Sequence, residues 1–328
     1  MKHILVLGGA GFIGINMMHL LKKRKYKILC VDKLTYASNK KALSFYKFKN
    51  IRLDINDKKI YEIIKNFKPN FVINFAAETH VDKSIDSPKN FINANIVGVF
   101  NVMEVLRKLK SLKIKYIHIS TDEVYGNIKK NKFSLEKDKF DPTSPYASSK
   151  AASDLLVKSY IKTYNFPAII TNCTNNFGPY QNYEKLIPRA IVSLLKNNKI
   201  EIYGDGKNER EWIYVEDHCE AILKIMLKGK IGETYNIGSG LIKNNNSVAK
   251  SLIKNIKKIQ QKNYKIVYVQ DRPAHDQRYA LNSSKLRKNL NWKPRHSFEG
   301  GIKKTLNWYL NNYNKLKKID IKRQGLKI

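Results

Sequence analysis

The stretch Gly8-Gly9-Ala10-Gly11-Phe12-Ile13-Gly14 limits what this chain can fold into more than any other. It follows an apolar run, Lys2 to Leu7, that reads as a buried strand, and it leads into a helical pattern from Ile15 to Lys23. Glycines at Gly8, Gly11 and Gly14 let the backbone turn tightly and approach a pyrophosphate, which then rests on the amide-rich start of the helix. A glycine pattern alone is weak, but between a strand and a helix it predicts a dinucleotide site that includes Phe12 and Ile13. A second strand, Lys27 to Val31, ends in Asp32. A carboxylate there suits the adenosine ribose hydroxyls and disfavours a 2′-phosphate, so NAD is expected over NADP. Lys33, Leu34 and Thr35 continue that edge. A third strand, Asn50 to Leu53, brings Asp54 and Ile55 to the adenine end.

The alternation continues. A helix runs to about Phe67, and the apolar strand Phe71 to Phe75 ends in Ala76-Ala77, small residues that leave room for a cofactor. Glu78-Thr79-His80 follow. His80 sits in a polar loop without a metal-spaced partner, so it is expected to order that loop. One helix is predicted from Pro88 to Leu109. The fifth strand, Lys115 to Ile119, leads into Ser120-Thr121-Asp122-Glu123-Val124-Tyr125-Gly126. Two adjacent carboxylates past a strand end suit either a helix cap or an acid/base pair, and the stretch alone leaves both open. Pro145 starts a long helix carrying Tyr146 and Lys150, four apart and so on one face. An ammonium beside a phenol favours phenolate, lowering a pKa of about 10. A sixth strand, Ala168 to Asn172, completes the pattern of an α/β, Rossmann-type doubly wound parallel sheet.

Beyond it come a helix to Leu195, a strand and turn at Ile200 to Gly206, and Thr234 to Gly238 as a short strand returning to the sheet. A helix from Val248 to Ile259, a strand from Lys265 to Val269 and a helix from Phe298 to Leu310 close the pattern. No apolar run approaches the roughly 20 residues that span a bilayer, and no signal peptide or membrane association is expected. Cys30, Cys173 and Cys219 are too far apart for a disulfide framework or a metal cluster, which fits a reducing cytoplasm. No metal site is expected. The net charge of +35 raises the alternative of a non-catalytic polyanion- or RNA-binding protein. Its texture argues against specific nucleic-acid binding: only ten of the 62 basic residues are arginine, the residue suited to bidentate readout. Arg189, Arg210, Arg272 and Arg278 fall in the C-terminal part, where arginine on a lysine background points to phosphate binding.

Together these residues resemble the extended short-chain dehydrogenase/reductases, and within them the dTDP-glucose 4,6-dehydratase family. The Thr121-Asp122-Glu123 stretch carries the narrower likeness, with Ala77 to Asp82, Asn175 to Gln181, Tyr203 to Gly206 and Asp271-Arg272-Pro273. The resemblance implies an NAD-dependent lyase that converts dTDP-glucose to its 4-keto-6-deoxy product. UDP- and other nucleotide-sugar dehydratases or 4-epimerases on the same scaffold are the near alternatives. It implies that Tyr146 deprotonates the sugar C4 hydroxyl, that Lys150 tunes it and binds the nicotinamide ribose, and that Thr121 bonds the same oxygen. Glu123 would remove the C5 proton, Asp122 would protonate the leaving C6 hydroxyl, and the hydride held by NAD would return to C6. Asn176 joins the implied cofactor contacts. Thr79, Asn175, Lys185, Leu186, Tyr203, Arg210, Asn236, Arg272 and His275 are the implied substrate contacts, with Lys185, Arg210, Arg272 and His275 suited to a diphosphate. Residues 1–174, rejoined by 213–240, are expected as the NAD-binding lobe. Residues 175–212 and 241–315 form a smaller, discontinuous nucleotide-sugar lobe, and 316–328 a basic tail. A homodimer through the Pro88–Leu109 and Tyr146 helices is implied too. Three departures stand out: Ala147-Ser148-Ser149 between Tyr146 and Lys150, Glu211 where Asp is usual, and Ala274 where Gly is usual.

Overall fold

The computed structural model describes residues 1–312, so the expected basic tail and residues 313–315 lie outside the described residues. In chain order the strands are β1 (His3–Leu7), β2 (Lys27–Asp32), β3 (Asn50–Arg52), β4 (Phe71–Asn74), β5 (Lys115–Thr121) and β6 (Ala168–Cys173). They continue as β7 (Asn175–Phe177), β8 (Lys199–Tyr203), β9 (Glu209–Tyr214), β10 (Thr234–Ile237), β11 (Ile242–Asn244) and β12 (Lys265–Val269). Seven form one parallel sheet in the order β10-β6-β5-β4-β1-β2-β3. The order reverses between β1 and β4, and a parallel sheet opens a ligand crevice at the carboxyl ends of such strands.

Successive strand side chains point to opposite faces. Ile4 and Val6 therefore enter one core, with the helices Phe12–Lys23, Val215–Lys228 and Ser284–Leu290. Leu5 and Leu7 enter the other, with the helices Ile60–Phe67, Gly98–Lys108 and Pro145–Tyr164. Burial on both faces is why these strands read as continuous apolar runs. The returning strand is β10, which adds beside β6 with Asn236 opposite Asn172. The helix Val215–Lys228 was not expected from the sequence. Its first turn buries Asp217 and His218, and Asp217 accepts the amides of Arg295 and His296, so polar residues interrupt the apolar stripe. Leu286, Leu290 and Trp292, which the division above puts in the second lobe, belong to the first core.

A third core gathers the helices Leu186–Asn197, Asn245–Lys257 and Phe298–Asn311 around two small sheets, β11-β9-β7 and β12-β8. One expected helix in the sheet lobe is present but not regular. The predicted helix Pro88–Leu109 is an α-turn at Pro88–Ile92, a π-turn at Asn93–Val97 and an α-helix at Gly98–Lys108. Such wide turns tend to mark functional sites. Here the turn carries buried Asn95, which accepts the Glu78 amide at 2.9 Å and donates to the Glu78 carbonyl and the Ser149 hydroxyl.

Candidate active site

The glycine turn closes the crevice from below. Gly8 has φ +71°, and a Cβ on it would lie 2.5 Å from the Ala76 nitrogen, so the ends of β1 and β4 nearly touch there. A Cβ on Gly14 would lie 2.5 Å from the Gly8 carbonyl oxygen. The helix that follows has no side-chain cap and no acid in its first turn, which leaves its amides to an anion. Asp32 stands at the rim, its carboxylate accepting the amides of Ala10 (2.9 Å) and Leu34 (2.7 Å) and the Ser38 hydroxyl (3.1 Å). With about four acceptor positions on a carboxylate, one stays open for a ribose hydroxyl. Lys33, Thr35, Asp54, Ile55, Phe75, Ala76, Ala77, Tyr146, Lys150 and Asn176 line the same cleft. Leu34 does not: its side chain packs on the core, and only its amide serves the site. These features fit a dinucleotide.

The end of β5 forms the floor. The strand runs to Thr121, and Asp122–Tyr125 make one 3-10 turn. The Thr121 hydroxyl accepts the Glu123 amide at 3.3 Å and donates to Asp122 Oδ1 at 3.2 Å. Thr121 therefore caps the turn, and the carboxylates do not. Asp122 Oδ2 is buried without a partner. Burial, and then the Glu123 charge, push the Asp122 carboxyl well above the ordinary carboxylate range, and Arg210 only partly offsets them. Burial raises Glu123 too, but Arg272, Lys185 and Arg210 pull it back. Both carboxyls are therefore raised, but three cations oppose the rise at Glu123 and one at Asp122, which sets the two neighbours apart.

Tyr146 and Lys150 face this floor from the helix Pro145–Tyr164, whose start is capped by Ser144. The expected lowering of the phenol does not occur. Burial, then the Glu123 charge, hold the Tyr146 phenol well above its usual value, and the Thr121 hydroxyl is the group that draws it down. Lys150 is instead tied to the Ile119 carbonyl at 2.8 Å.

A second cleft adjoins the first, sharing Asn175, Glu184 and Lys185 with it. Leu186, Tyr203, Arg210, Arg272 and His275 line it, and Thr79 lines the first cleft, its carbonyl held by Lys185 at 2.7 Å. Arg272 is set by Asp82 at 3.0 Å, and Tyr203 donates to the other Asp82 oxygen. The Arg210 guanidinium is buried against the Tyr279 ring and bonds the Asp276 carbonyl at 2.8 Å. His275 differs from its expected role. Burial and Arg272 lower its pKa to about 4 against the pull of Asp271, so at neutral pH it can offer a hydrogen bond but no charge. His80 caps the helix Val81–Asp86, in keeping with an ordering role.

Orphaned buried polar atoms concentrate here. Of the ten such side-chain atoms among the described residues, seven belong to cleft residues: Ser120, Asp122, Thr174, Asn175, Gln181, Trp212 and Arg272. Buried polar groups are normally satisfied, so their concentration in the two clefts fits a polar ligand there.

The GDP-mannose 4,6 dehydratase family model matches residues 5–305. The dTDP-glucose 4,6-dehydratase of Salmonella typhimurium is 43% identical over 337 residues, which cover 94% of this chain and 93% of that protein. The chain belongs to the dTDP-glucose 4,6-dehydratase family. Among solved structures, the family's Bacillus anthracis enzyme, in complex with NAD, superposes with a TM-score of 0.87 at 38% identity, covering 96% of this chain and 98% of that one. The Streptomyces venezuelae enzyme, with NAD and dTDP bound, gives 0.89 at 35% identity over the same shares.

Within this family scaffold one implied substrate contact falls outside both clefts. Asn236 is fully buried, donating to the Ser134 carbonyl at 2.9 Å and accepting from the Tyr125 hydroxyl at 3.0 Å. Its place on β10 turns it into the sheet lobe. Asn245, which reaches the second cleft from the start of the helix Asn245–Lys257, was missed, as were Asp82 and Glu201, whereas Arg189, one of the arginines singled out for phosphate binding, does line that cleft. A short β11 that precedes Asn245 gives no strand signal in the sequence. Ala274, the departure near the implied diphosphate contacts, takes φ +51°.

Proposed function

We infer that the chain is an NAD-dependent dTDP-glucose 4,6-dehydratase. The observation that carries this is the adjacent pair Asp122 and Glu123, the first raised well above the ordinary carboxylate range and with an unpartnered oxygen, the second raised by burial against the opposing pull of three cations, on the floor of the cleft that Tyr146 and Lys150 also line. The glycine turn, Asp32, Tyr146 and Lys150 would hold NAD, which would supply the hydride acceptor for C4 and the hydride donor for C6. Tyr146 takes the C4 hydroxyl proton, and Thr121, which faces it, bonds the same oxygen. The ketone so formed acidifies C5–H, and Glu123 removes that proton. Asp122 gives its proton to the departing C6 hydroxyl, so one water leaves, and as hydride returns to C6 a proton returns to C5 from Glu123. Lys185, Arg210 and Arg272 hold the diphosphate, His275 contributes a neutral hydrogen bond, and Thr79, Asn175, Leu186 and Tyr203 complete the nucleotide-sugar site. An epimerase needs no such acid beside its base.

The division into an NAD lobe and a nucleotide-sugar lobe belongs to the same reading. So does a homodimer. Ile92, Val97 and Phe100, on the segment from Pro88 to Lys108, and Leu155 and Tyr164, on the Tyr146 helix, are large apolar side chains left exposed, which is the surface a helix bundle with a second copy would cover. A cytoplasmic location is favoured by three free, buried cysteines. No helix of the described residues is long and apolar enough to cross a membrane.

Purified protein incubated with dTDP-glucose should give a product lighter by one water. An unchanged mass would sink the dehydratase reading, and a panel with UDP- and other nucleotide sugars would set the base.

A further inference from the structure

Behind the redox pair lies a polar network that the proposed chemistry does not use. His118 and Asp154 are wholly buried, with His118 Nε2 at 3.1 Å from Asp154 Oδ1. The proton positions along it follow from one backbone group. The Ala76 amide, in the dinucleotide cleft, donates to Asn74 Oδ1 at 3.1 Å, which orients the Asn74 amide. Asn74 Nδ2 therefore donates to the Tyr116 oxygen at 2.9 Å, and the Tyr116 hydroxyl proton points to His118 Nδ1 at 3.4 Å. The imidazole then carries its proton on Nε2, facing Asp154. Ser153 agrees: its own proton goes to the Lys150 carbonyl at 2.9 Å, so toward His118 Nε2 at 3.3 Å its oxygen can only accept. Burial, then the Lys150 charge, keep His118 neutral. The other Asp154 oxygen receives Asn172 Nδ2 at 3.0 Å, whose orientation is set by a second bond to the Thr121 carbonyl. Both Asp154 oxygens therefore meet donors.

We propose that Asp154 is a positioning residue for Lys150, a counter-charge one helical turn on whose carboxylate is held by the one-way chain from the Ala76 amide through Asn74, Tyr116 and His118. Lys150 needs such a partner. Its side chain is buried and its ammonium makes one hydrogen bond, to the Ile119 carbonyl. The groups that face it are Asp154 one turn on along its own helix, Tyr146 one turn back, neutral His118 on β5 and Cys173 on β6, a thiol that burial keeps protonated. Burial lowers the Lys150 pKa, and the Asp154 charge is the largest effect opposing it. An uncompensated buried ammonium would shed its proton, and Lys150 would lose the charge with which it bears on Tyr146 and the cofactor. The chain also explains why Asn236 stays away from substrate: with Tyr125 it packs the far side of Asn172.

The inference rests on the dehydratase reading, and wild-type protein separates the two. A wild type that forms no NADH in single turnover with dTDP-glucose refutes the reading; a wild type that does so leaves Asp154 to be tested. In Asp154→Asn the alkaline limb of that NADH formation, and the alkaline fall in NAD affinity measured by calorimetry, should both move to lower pH by about one unit or more, the usual effect of one nearby opposite charge. His118→Phe, which removes one donor but leaves the charge, should move both limbs the same way by less, and His118→Gln, whose amide can still donate, should restore them. A folded Asp154→Asn with uniformly slower turnover and unmoved limbs would overturn the proposal. If that variant does not fold, unmoved limbs in His118→Phe would overturn it instead.

Discussion

The two adjoining clefts are built by different means. The dinucleotide cleft is made largely of backbone: two strand ends in contact at Gly8 and Ala76, an uncapped helix start, and one carboxylate pinned by Ala10, Leu34 and Ser38. The nucleotide-sugar cleft is made of long side chains from separate loops, each set by a partner far away in sequence, as Asp82 sets Arg272 and the Asp276 carbonyl sets Arg210. Backbone sites tolerate no added volume. Side-chain sites respond to charge. The catalytic floor at Thr121-Asp122-Glu123 faces the first cleft and takes its electrostatics from the cations of the second.

The largest effect should come from adding volume to the backbone site. Gly14→Val places atoms where a Cβ already meets the Gly8 carbonyl at 2.5 Å and the Gly9 Cα at 2.8 Å. NAD affinity by calorimetry should fall roughly 100-fold or more, about 2.8 kcal/mol. Retained affinity would break the contrast. Next, Arg272→Ala leaves Asp82 buried without its counter-charge, held by the Tyr203 hydroxyl, and the KM for the nucleotide sugar should rise roughly 30-fold or more, about 2 kcal/mol or above, the scale of breaking a buried charged pair. NAD affinity should stay within about twofold, because the loss belongs to the other cleft. An equal loss of both ligands would show that the clefts are not separable.

A smaller effect tests the floor. The folded pKa of Asp122 is raised above its unfolded value. Stability from this group is therefore fully present below the unfolded pKa and is lost as pH rises through the folded one. Asp122→Asn is neutral throughout, so relative to wild type its Tm should improve as pH climbs into the neutral range; a Tm difference that does not change with pH would contradict a protonated resting Asp122. Smallest is Ala274→Gly. It relieves a left-handed alanine at φ +51°, a cost of about 1–2 kcal/mol, less about 0.4–1 kcal/mol for the freer unfolded chain. Thermal melts should show a rise of about 1–2 °C.

The same contrast explains what the sequence could show. Gly8, Gly14 and Asp32 act through backbone geometry at a strand end, so position along the chain was enough to place them. Asp122 and Glu123 were visible as an odd pair past a strand, but the cations that separate their tasks lie at Lys185, Arg210 and Arg272 and converge only on folding. Tyr146 shows the limit: spacing put Lys150 on its helix face, yet spacing is blind to burial, which holds the phenol well above its usual value. Asn236 was misplaced because the register of β10 decides which way a strand residue faces, and a short strand carries no register signal. The π-turn at Asn93–Val97 was missed because its cause, buried Asn95 bonded to Glu78 and Ser149, depends on residues from two other segments.

The central claim is that oxidation and elimination use different residues on one floor. Single-turnover absorbance of NADH with dTDP-glucose tests it in Tyr146→Phe, Asp122→Asn and Glu123→Gln. Tyr146→Phe should form no NADH. The two carboxyl variants should form it at much of the wild-type rate and then hold it, because elimination stalls before hydride can return. Equal loss of NADH formation in all three would contradict the account.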